Sequence, residues 1–139
     1  MTRLVVALAA ALVAVGAGLV AVSTAASGGG QPKVVVLTVN RSRFEPPVVR
    51  VRRGTTVRFV VHNTDPIDHE LVVGPPAVQD QHEHGTEASH HGDVAGQMSL
   101  PAGTVAVTTY RFGSAGQVPF ACHLPGHWAY GMSGVVTVS

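Results

Sequence analysis

One run of eleven residues, 122–132 (CHLPGHWAYGM), limits what this chain can fold into more than any other feature. It carries a thiol, two imidazoles and a thioether, and Cys122, His127 and Met132 follow one another at intervals of five residues. A Cys thiolate and two imidazoles in one plane, with a weakly bound axial Met, are the donors of a mononuclear copper site. The plane needs a second His besides His127, and we expect the fold to bring it from another part of the chain.

Two histidines in the middle of the chain are candidates for that ligand. In residues 57–63 (VRFVVHN), apolar and polar positions alternate as in a strand, and His62 shares the outward face with Arg58. His69 follows a turn and opens another strand, on the same side as Leu71, which places its imidazole inward. The sequence therefore predicts His69, and not His62, as the ligand from outside the loop.

Residues 122–127 (CHLPGH), followed by Gly131 and Met132, resemble the copper-binding loop of the cupredoxins, the blue type 1 copper proteins. The C-x4-H-x4-M spacing is most similar to that of rusticyanin and sulfocyanin, and the loop is also similar to those of plastocyanin and azurin, although plastocyanin has a shorter gap between Cys and His. The resemblance extends upstream to about Val34 at the level of pattern. It covers the whole of the predicted folded part.

The resemblance implies one type 1 copper ion as the cofactor. Its ligands would be His69, Cys122, His127 and Met132. The chain departs from the family pattern at Glu70, where plastocyanin-like and azurin-like sites often have an Asn that tunes the thiolate. Because hydrogen bonds around the sulfur set the reduction potential, no potential carries over from the family to this site.

Short β-branched segments separated by Gly and Pro turns predict an all-β fold for residues 34–139. About seven strands and no helix can be placed there, a pattern typical of sandwiches and barrels. The resemblance implies a Greek-key cupredoxin-like β-sandwich or barrel, with the ligands meeting at one pole.

Residues 1–26 predict a hydrophobic leader helix that precedes this domain. Arg3 is followed by the uncharged run 4–22, which is longer than the ~7–15 residues of a signal-peptide core and close to the ~20 residues of a membrane span. Two alternatives remain, a signal peptide and an N-terminal membrane anchor. Both export the domain, to the periplasm or the outer face of the cytoplasmic membrane, as a secreted or membrane-anchored protein. Residues 27–33 read as a flexible linker.

Residues 79–93 form a His-rich segment with little apolar content, which predicts a long mobile loop. The segment contains four histidines among carboxylates: His82, His84, His90 and His91. It is either a soluble surface insertion or a weak secondary metal site that captures copper.

The surroundings of His127 suggest where a partner docks. The resemblance implies that electrons pass at an apolar patch of Leu124, Pro125 and Trp128, although Trp128 would equally pack over the loop. Strand alternation points His123 away from Cys122, and we predict it as a surface residue.

The formal net charge of +1 favours neither nucleic acid nor anionic lipid as a partner. Basic residues cluster between Arg41 and Arg58 and acidic ones between Asp65 and Asp93. These clusters are either two solvated surfaces or a docking face for a charged redox partner.

Three functions compete at this point. The leading prediction is an extracytoplasmic, monomeric electron carrier with one type 1 copper. The alternative is a protein that binds, buffers or delivers copper and uses the His-rich segment for capture, and a third is an interaction module with zinc or no metal. No nucleophile–base set and no phosphate-binding glycine loop is recognisable, so we do not expect an enzyme. The single Cys cannot form an internal disulfide, which favours metal ligation for an exported thiol.

Overall fold

The computed structural model describes residues 30–85 and 94–139. The leader, the start of the linker, His90 and His91 lie outside these ranges. The described residues form nine strands and one helix. In chain order they are β1 (Lys33–Val39), β2 (Phe44–Glu45), β3 (Val48–Val51), β4 (Thr56–Asn63), β5 (His69–Val73), α1 (Pro76–Glu83), β6 (Gln97–Leu100), β7 (Val105–Arg111), β8 (Gly116–Ala121) and β9 (Ser133–Val138).

The strands form two sheets, with the orders β2-β1-β4-β7 and β3-β9-β8-β5-β6. Two pairs are parallel, β1 with β4 and β3 with β9, and the remaining pairs are antiparallel. The predicted all-β, two-sheet architecture is confirmed. The strand number exceeds the predicted seven by two short strands, β2 and β6, of two and four residues.

The core lies between the two sheets, where period-2 alternation turns apolar side chains inward. Strand β4 follows the predicted pattern, since Val57, Phe59 and Val61 are fully buried while His62 is exposed. Phe44 is also buried, and its ring meets that of Phe120 edge-on with centroids 5.4 Å apart. Hydrocarbon from both sheets therefore fills the interior.

Helix α1 corrects the prediction of a mobile loop with no helix. Its only fully buried residue is Gln79, whose amide Nε2 donates to three backbone carbonyls, those of Val72 at 3.1 Å and of Gly74 and Pro119 at 3.2 Å. The helix is thus attached by a polar side chain and presents no apolar stripe, which is why hydrophobic periodicity gave no helical signal. None of the helical segments that the structure describes has the length and hydropathy to cross a membrane.

Candidate metal centre

Three predicted ligands converge at one end of the sandwich. His69 is the first residue of β5, Cys122 directly follows β8, and His127 lies on the loop between β8 and β9. The Nδ1 atom of His127 lies 3.2 Å from both the His69 Nδ1 and the Cys122 Sγ. The three donor atoms all lie within 4.8 Å of one another, a spacing that suits a single metal ion. Strands β5 and β8 are neighbours in the sheet, which brings the distant His69 to the loop.

Backbone hydrogen bonds hold the loop that carries the remaining donors. The Cys122 N–H donates to the Met132 carbonyl at 3.1 Å, and the Met132 N–H donates to the His127 carbonyl at 3.0 Å. The His127 N–H in turn donates to Leu124 O at 2.9 Å. Met132 and Cys122 are fully buried in the core cluster. The loop is therefore fixed at both ends before any metal binds.

A carboxylate orients the His69 ring. The His69 Nε2–H donates to Asp65 Oδ2 at 2.9 Å, so in the neutral ring the Nδ1 lone pair faces Cys122 and His127. Metal-bound imidazoles commonly have their second nitrogen held in this way, which fixes the tautomer and raises the basicity of the ligand. The sequence reasoning did not single out Asp65. Its position four residues before His69, across a turn, was the available signal.

Asp65 is itself held by backbone groups. Its two carboxylate oxygens accept the Arg41 and Ser42 N–H groups at 2.7 Å, where both residues have positive φ values of 53° and 52°. Burial alone would raise the pKa of Asp65, but these hydrogen bonds and the contact with His69 outweigh it and lower the pKa below its ordinary value. Asp65 is therefore a carboxylate at neutral pH, and the site gains a buried negative charge.

Asn63 orders the turn that carries Asp65 and His69. Its side-chain amide donates to the carbonyls of Ile67, Leu100 and Pro101 at 2.8–3.1 Å, and its Oδ1 accepts the Asp65 N–H at 3.0 Å. Asn63 is buried, and its bonds with the Leu100 carbonyl and the Asp65 N–H are buried as well. Asn63 at the end of β4 thus holds the turn that leads to His69.

The thiol of Cys122 is shielded from solvent. Burial raises its pKa to about 11, an effect that the backbone N–H groups of Leu124 and Glu70 oppose in part. Without a metal the sulfur is therefore a thiol at neutral pH, and a bound cation would displace the proton. The same two N–H groups would then face a thiolate.

Glu70, the departure from the family pattern, links the two ligand-bearing segments. It is buried next to His69, and its Oε1 accepts the His123 N–H at 2.7 Å. Its own N–H is directed at the Cys122 sulfur. The Glu70 carboxylate thus connects β5, which carries His69, to His123, the residue after Cys122.

His127 closes the site towards solvent. Its side chain is partly exposed, and burial together with the neighbouring His69 lowers its pKa below the ordinary value for histidine. The imidazole is therefore neutral at pH 7 and has a lone pair to offer a metal.

The prediction that His123 is a surface residue was wrong. Its side chain is only 1% exposed, because helix α1 covers the face to which strand alternation directs it. Its Nε2 lies 2.8 Å from Gln79 Oε1 and its Nδ1 lies 2.8 Å from Glu83 Oε2. Its ring also packs against that of Trp128 at a tilt of 39°, with centroids 4.5 Å apart.

The other predicted residues stand apart from the donors. His82 and His84 lie on and just after α1, and neither belongs to the donor cluster, which is the only one of its kind among the residues described. Of the predicted patch, Pro125 is exposed, Trp128 is 38% exposed, and Leu124 packs partly against the core.

The donor set fits copper. A thiol that loses its proton on metal binding, two imidazoles whose Nδ1 atoms face each other at 3.2 Å and a neighbouring buried Met match the ligand types of a type 1 site. A closed cysteine-rich zinc site would need more thiolates or a fourth strong donor. His69, Cys122 and His127 are thus positioned to bind one copper ion.

Comparison with known proteins agrees with this chemistry. A family model for copper-binding proteins of the plastocyanin/azurin family matches residues 28–139. The copper-resistant cuproprotein CopI of Rubrivivax gelatinosus is 39% identical over 111 residues, which are 78% of this chain and 67% of that protein.

Solved structures show the same fold. Dithionite-reduced auracyanin from Roseiflexus castenholzii has a TM-score of 0.64 at 22% identity, and the match covers 79% of this chain and 99% of that one. Auracyanin A from Chloroflexus aurantiacus, described as a blue copper protein, has a TM-score of 0.64 at 17% identity over 78% of this chain and 99% of its own.

Proposed function

The chain belongs to the plastocyanin/azurin family of copper-binding proteins, and on that premise we propose that it is an exported carrier of single electrons. Copper bound here would supply one-electron chemistry by alternating between Cu(I) and Cu(II). The observation that carries the proposal is the convergence of His69, Cys122 and His127 within 4.8 Å. Two sheets and a hydrogen-bonded loop fix these donors, so little protein has to move when an electron passes.

Met132 is the proposed axial ligand. It is fully buried, and its backbone bonds to both Cys122 and His127 restrict its position. The axial donor tunes the reduction potential of such sites, whereas the visible absorption comes from the bond between copper and the Cys thiolate. Met132→Leu should therefore keep the intense visible absorption while the potential shifts, and loss of the absorption would mean a larger role for this residue.

Copper buffering or delivery is the second candidate function. Two observations favour it: a relative is named a copper-resistant cuproprotein, and the ring centroid of His82 on α1 lies 5.9 Å from that of His123, the residue after Cys122. A carrier should retain its copper in both oxidation states, whereas a delivery protein should release Cu(I) to an acceptor.

One experiment separates the two functions. The copper-loaded protein is reduced with ascorbate in the presence of a Cu(I) chelator and then reoxidised, while the visible absorption is followed. Full return of the absorption over repeated cycles supports the electron carrier, and transfer of the copper to the chelator supports delivery. Cys122→Ser is the control that should lack the absorption altogether. A wild-type protein that stays colourless with Cu(II) would contradict the electron carrier, and one that binds no copper in either oxidation state would contradict both functions.

We further propose that the protein is a monomer without enzymatic activity and works outside the cytoplasm. Partly exposed His127, with Pro125 and Trp128 near it, is the proposed point at which electrons enter and leave. No nucleic acid partner is proposed, since the net charge is +1.

A further inference from the structure

A cleft of about 360 Å³ opens directly beside the His127 imidazole. Six residues line it: Arg41, Ser42, Arg43, Ile67, His127 and Tyr130. Its lining comes from the β1–β2 connection, the β4–β5 turn and the metal loop. None of these six residues belongs to the apolar patch of Leu124, Pro125 and Trp128 that the sequence predicted.

Two guanidinium groups border this cleft. Arg41 and Arg43 are exposed, and within residues 30–85 and 94–139 neither side chain forms an ion pair or a hydrogen bond. No carboxylate is among the lining residues. The cleft therefore presents two positive charges next to a metal ligand, and an anion could approach them without displacing a protein group.

The arginines are carried by a rigid backbone. Asp65 accepts the Arg41 and Ser42 N–H groups, and Asn40 and Arg43 exchange backbone hydrogen bonds at 3.0 and 3.2 Å. The Arg43 guanidinium lies over Gly131 of the metal loop, where a Cβ atom would come within 2.5 Å of Nη1. Gly131 has a φ of +79°, so both its backbone and the guanidinium favour the absence of a side chain.

Apolar side chains complete the surface. Tyr130 is 74% exposed and Ile67 is 48% exposed, and both face the same cleft. Exposed large apolar groups rimmed by charge are typical of protein–protein contact sites. A small anion needs only the guanidinium groups, whereas a protein partner would cover Tyr130 and Ile67 as well.

We propose that this cleft is the docking surface for an acidic redox protein, which sets its carboxylates on Arg41 and Arg43 and its apolar centre on Tyr130 and Ile67. The inference rests on the proposed electron-carrier function and names the charge of its partner. One electron would pass between the copper site and the partner at His127. The two arginines steer and orient the encounter, because complementary charge raises association rates more than it strengthens the final complex.

The first test uses poly-L-glutamate as a probe for acidic protein surfaces. It is titrated into the metal-free protein, and backbone amide shifts are followed by NMR at low and high salt. We expect amide shifts at the cleft residues, including Tyr130. These shifts should be lost in the double variant Arg41→Gln/Arg43→Gln. Arg50→Gln/Arg58→Gln changes the net charge by the same amount at exposed residues that do not line the cleft, and it should keep the shifts.

The second test measures electron transfer from the reduced, copper-loaded protein to hexacyanoferrate(III), which gains the electron and becomes hexacyanoferrate(II). At low ionic strength, Arg41→Gln/Arg43→Gln should lower the second-order rate constant by about three- to tenfold, and high salt should remove the difference. With a tripositive cobalt complex as oxidant the same variant should react as fast as the wild type or faster.

Three results would overturn this inference. The first is an equal loss of poly-L-glutamate binding in the two double variants, and the second is a set of amide shifts outside the cleft. The third is binding of citrate as tight as that of poly-L-glutamate, which would indicate a small-anion site. Failure of the electron-carrier proposal can be distinguished from failure of this inference. A protein that does not retain copper or cycle it between oxidation states could still be titrated with poly-L-glutamate in its metal-free form.

Discussion

At the scale of single residues, the Asp65 carboxylate connects the metal site to the rest of the molecule. It holds the His69 ring through Nε2 and also fixes the Arg41–Ser42 turn. Asp65→Asn keeps an acceptor in place but removes the buried negative charge. We expect copper affinity to fall about 10–100-fold, the usual cost of losing a partner of a metal-bound His.

The affinity for Cu(II), the more highly charged ion, should fall more than the affinity for Cu(I). The reduction potential should therefore rise by about 60 mV for each tenfold by which the loss of Cu(II) affinity exceeds the loss of Cu(I) affinity. Competition titrations with Cu(I) and Cu(II) chelators measure both affinities. Asp68→Asn is the matched control, because Asp68 is an exposed carboxylate on the same turn that accepts the Ala102 N–H. Similar affinities for the two variants would show that Asp65 does not act through His69.

The Cys122 thiol makes metal binding depend on pH. Its pKa in the metal-free protein is raised to about 11, so at lower pH each binding event must displace its proton. The pKa of His127 is lowered, so that ring contributes no proton above neutral pH. Apparent Cu(I) affinity should therefore rise about tenfold per pH unit from pH 7.5 to 10 and weaken as the pH falls.

Anaerobic competition titrations across this range measure the dependence, and an indicator dye in weak buffer counts the protons released. Cys122→Ser should reduce the slope to near zero, since the hydroxyl does not ionise in this range. A flat profile for the wild type would mean that the sulfur is already ionised without metal.

At the scale of elements, helix α1 depends on a buried amide. Removing Gln79 would leave the carbonyls of Val72, Gly74 and Pro119 without their side-chain donor and His123 without one of its contacts. Unsatisfied buried polar groups are costly, so Gln79→Ala should destabilise the metal-free protein by about 1–3 kcal/mol.

Urea unfolding of the metal-free variant measures this change. Gln81→Ala is the control on the same helix, because Gln81 is exposed and its replacement should change stability by less than about 0.5 kcal/mol. Equal stabilities for the two variants would show that the amide does not anchor the helix.

The strands could be predicted where burial is one-sided. In β4, Arg58 and His62 are exposed while their neighbours are buried, so the alternation of polar and apolar residues in the sequence predicted the strand. Strand β5 is buried along its whole length, so alternation alone does not separate its two faces. His69 was identified because it follows a turn on the same side as Leu71, and because the downstream loop needs a second imidazole.

The remaining features depend on contacts that the sequence does not display. Alternation correctly turned His123 away from Cys122, but α1 and not solvent lies on that side. The helix itself was missed because its anchor is the polar Gln79. Asp65 was missed because two of its partners, Arg41 and Ser42, lie more than twenty residues away.

At the scale of the whole molecule, the fold and the metal site share one interior. Cys122 and Met132 belong to the same buried cluster as Phe44, Phe59 and Phe120. Most of this cluster is hydrocarbon contributed by both sheets, and burial of such surface is the main stabilising term in folding. We therefore expect the metal-free protein to be folded, unlike small zinc domains that fold only with their ion.

Copper should add stability to a fold that already exists. A ligand that binds only the native state stabilises it by about 2.7 kcal/mol at 100 times Kd and by about 4.1 kcal/mol at 1,000 times Kd. Unfolding followed by circular dichroism should show a cooperative β-sheet transition without metal and a higher midpoint with copper. His69→Ala should lose most of that increase, whereas His62→Ala, at an exposed histidine of β4, should retain it. A metal-free chain without a cooperative transition would mean that the ion, and not the hydrocarbon core, holds the two sheets together.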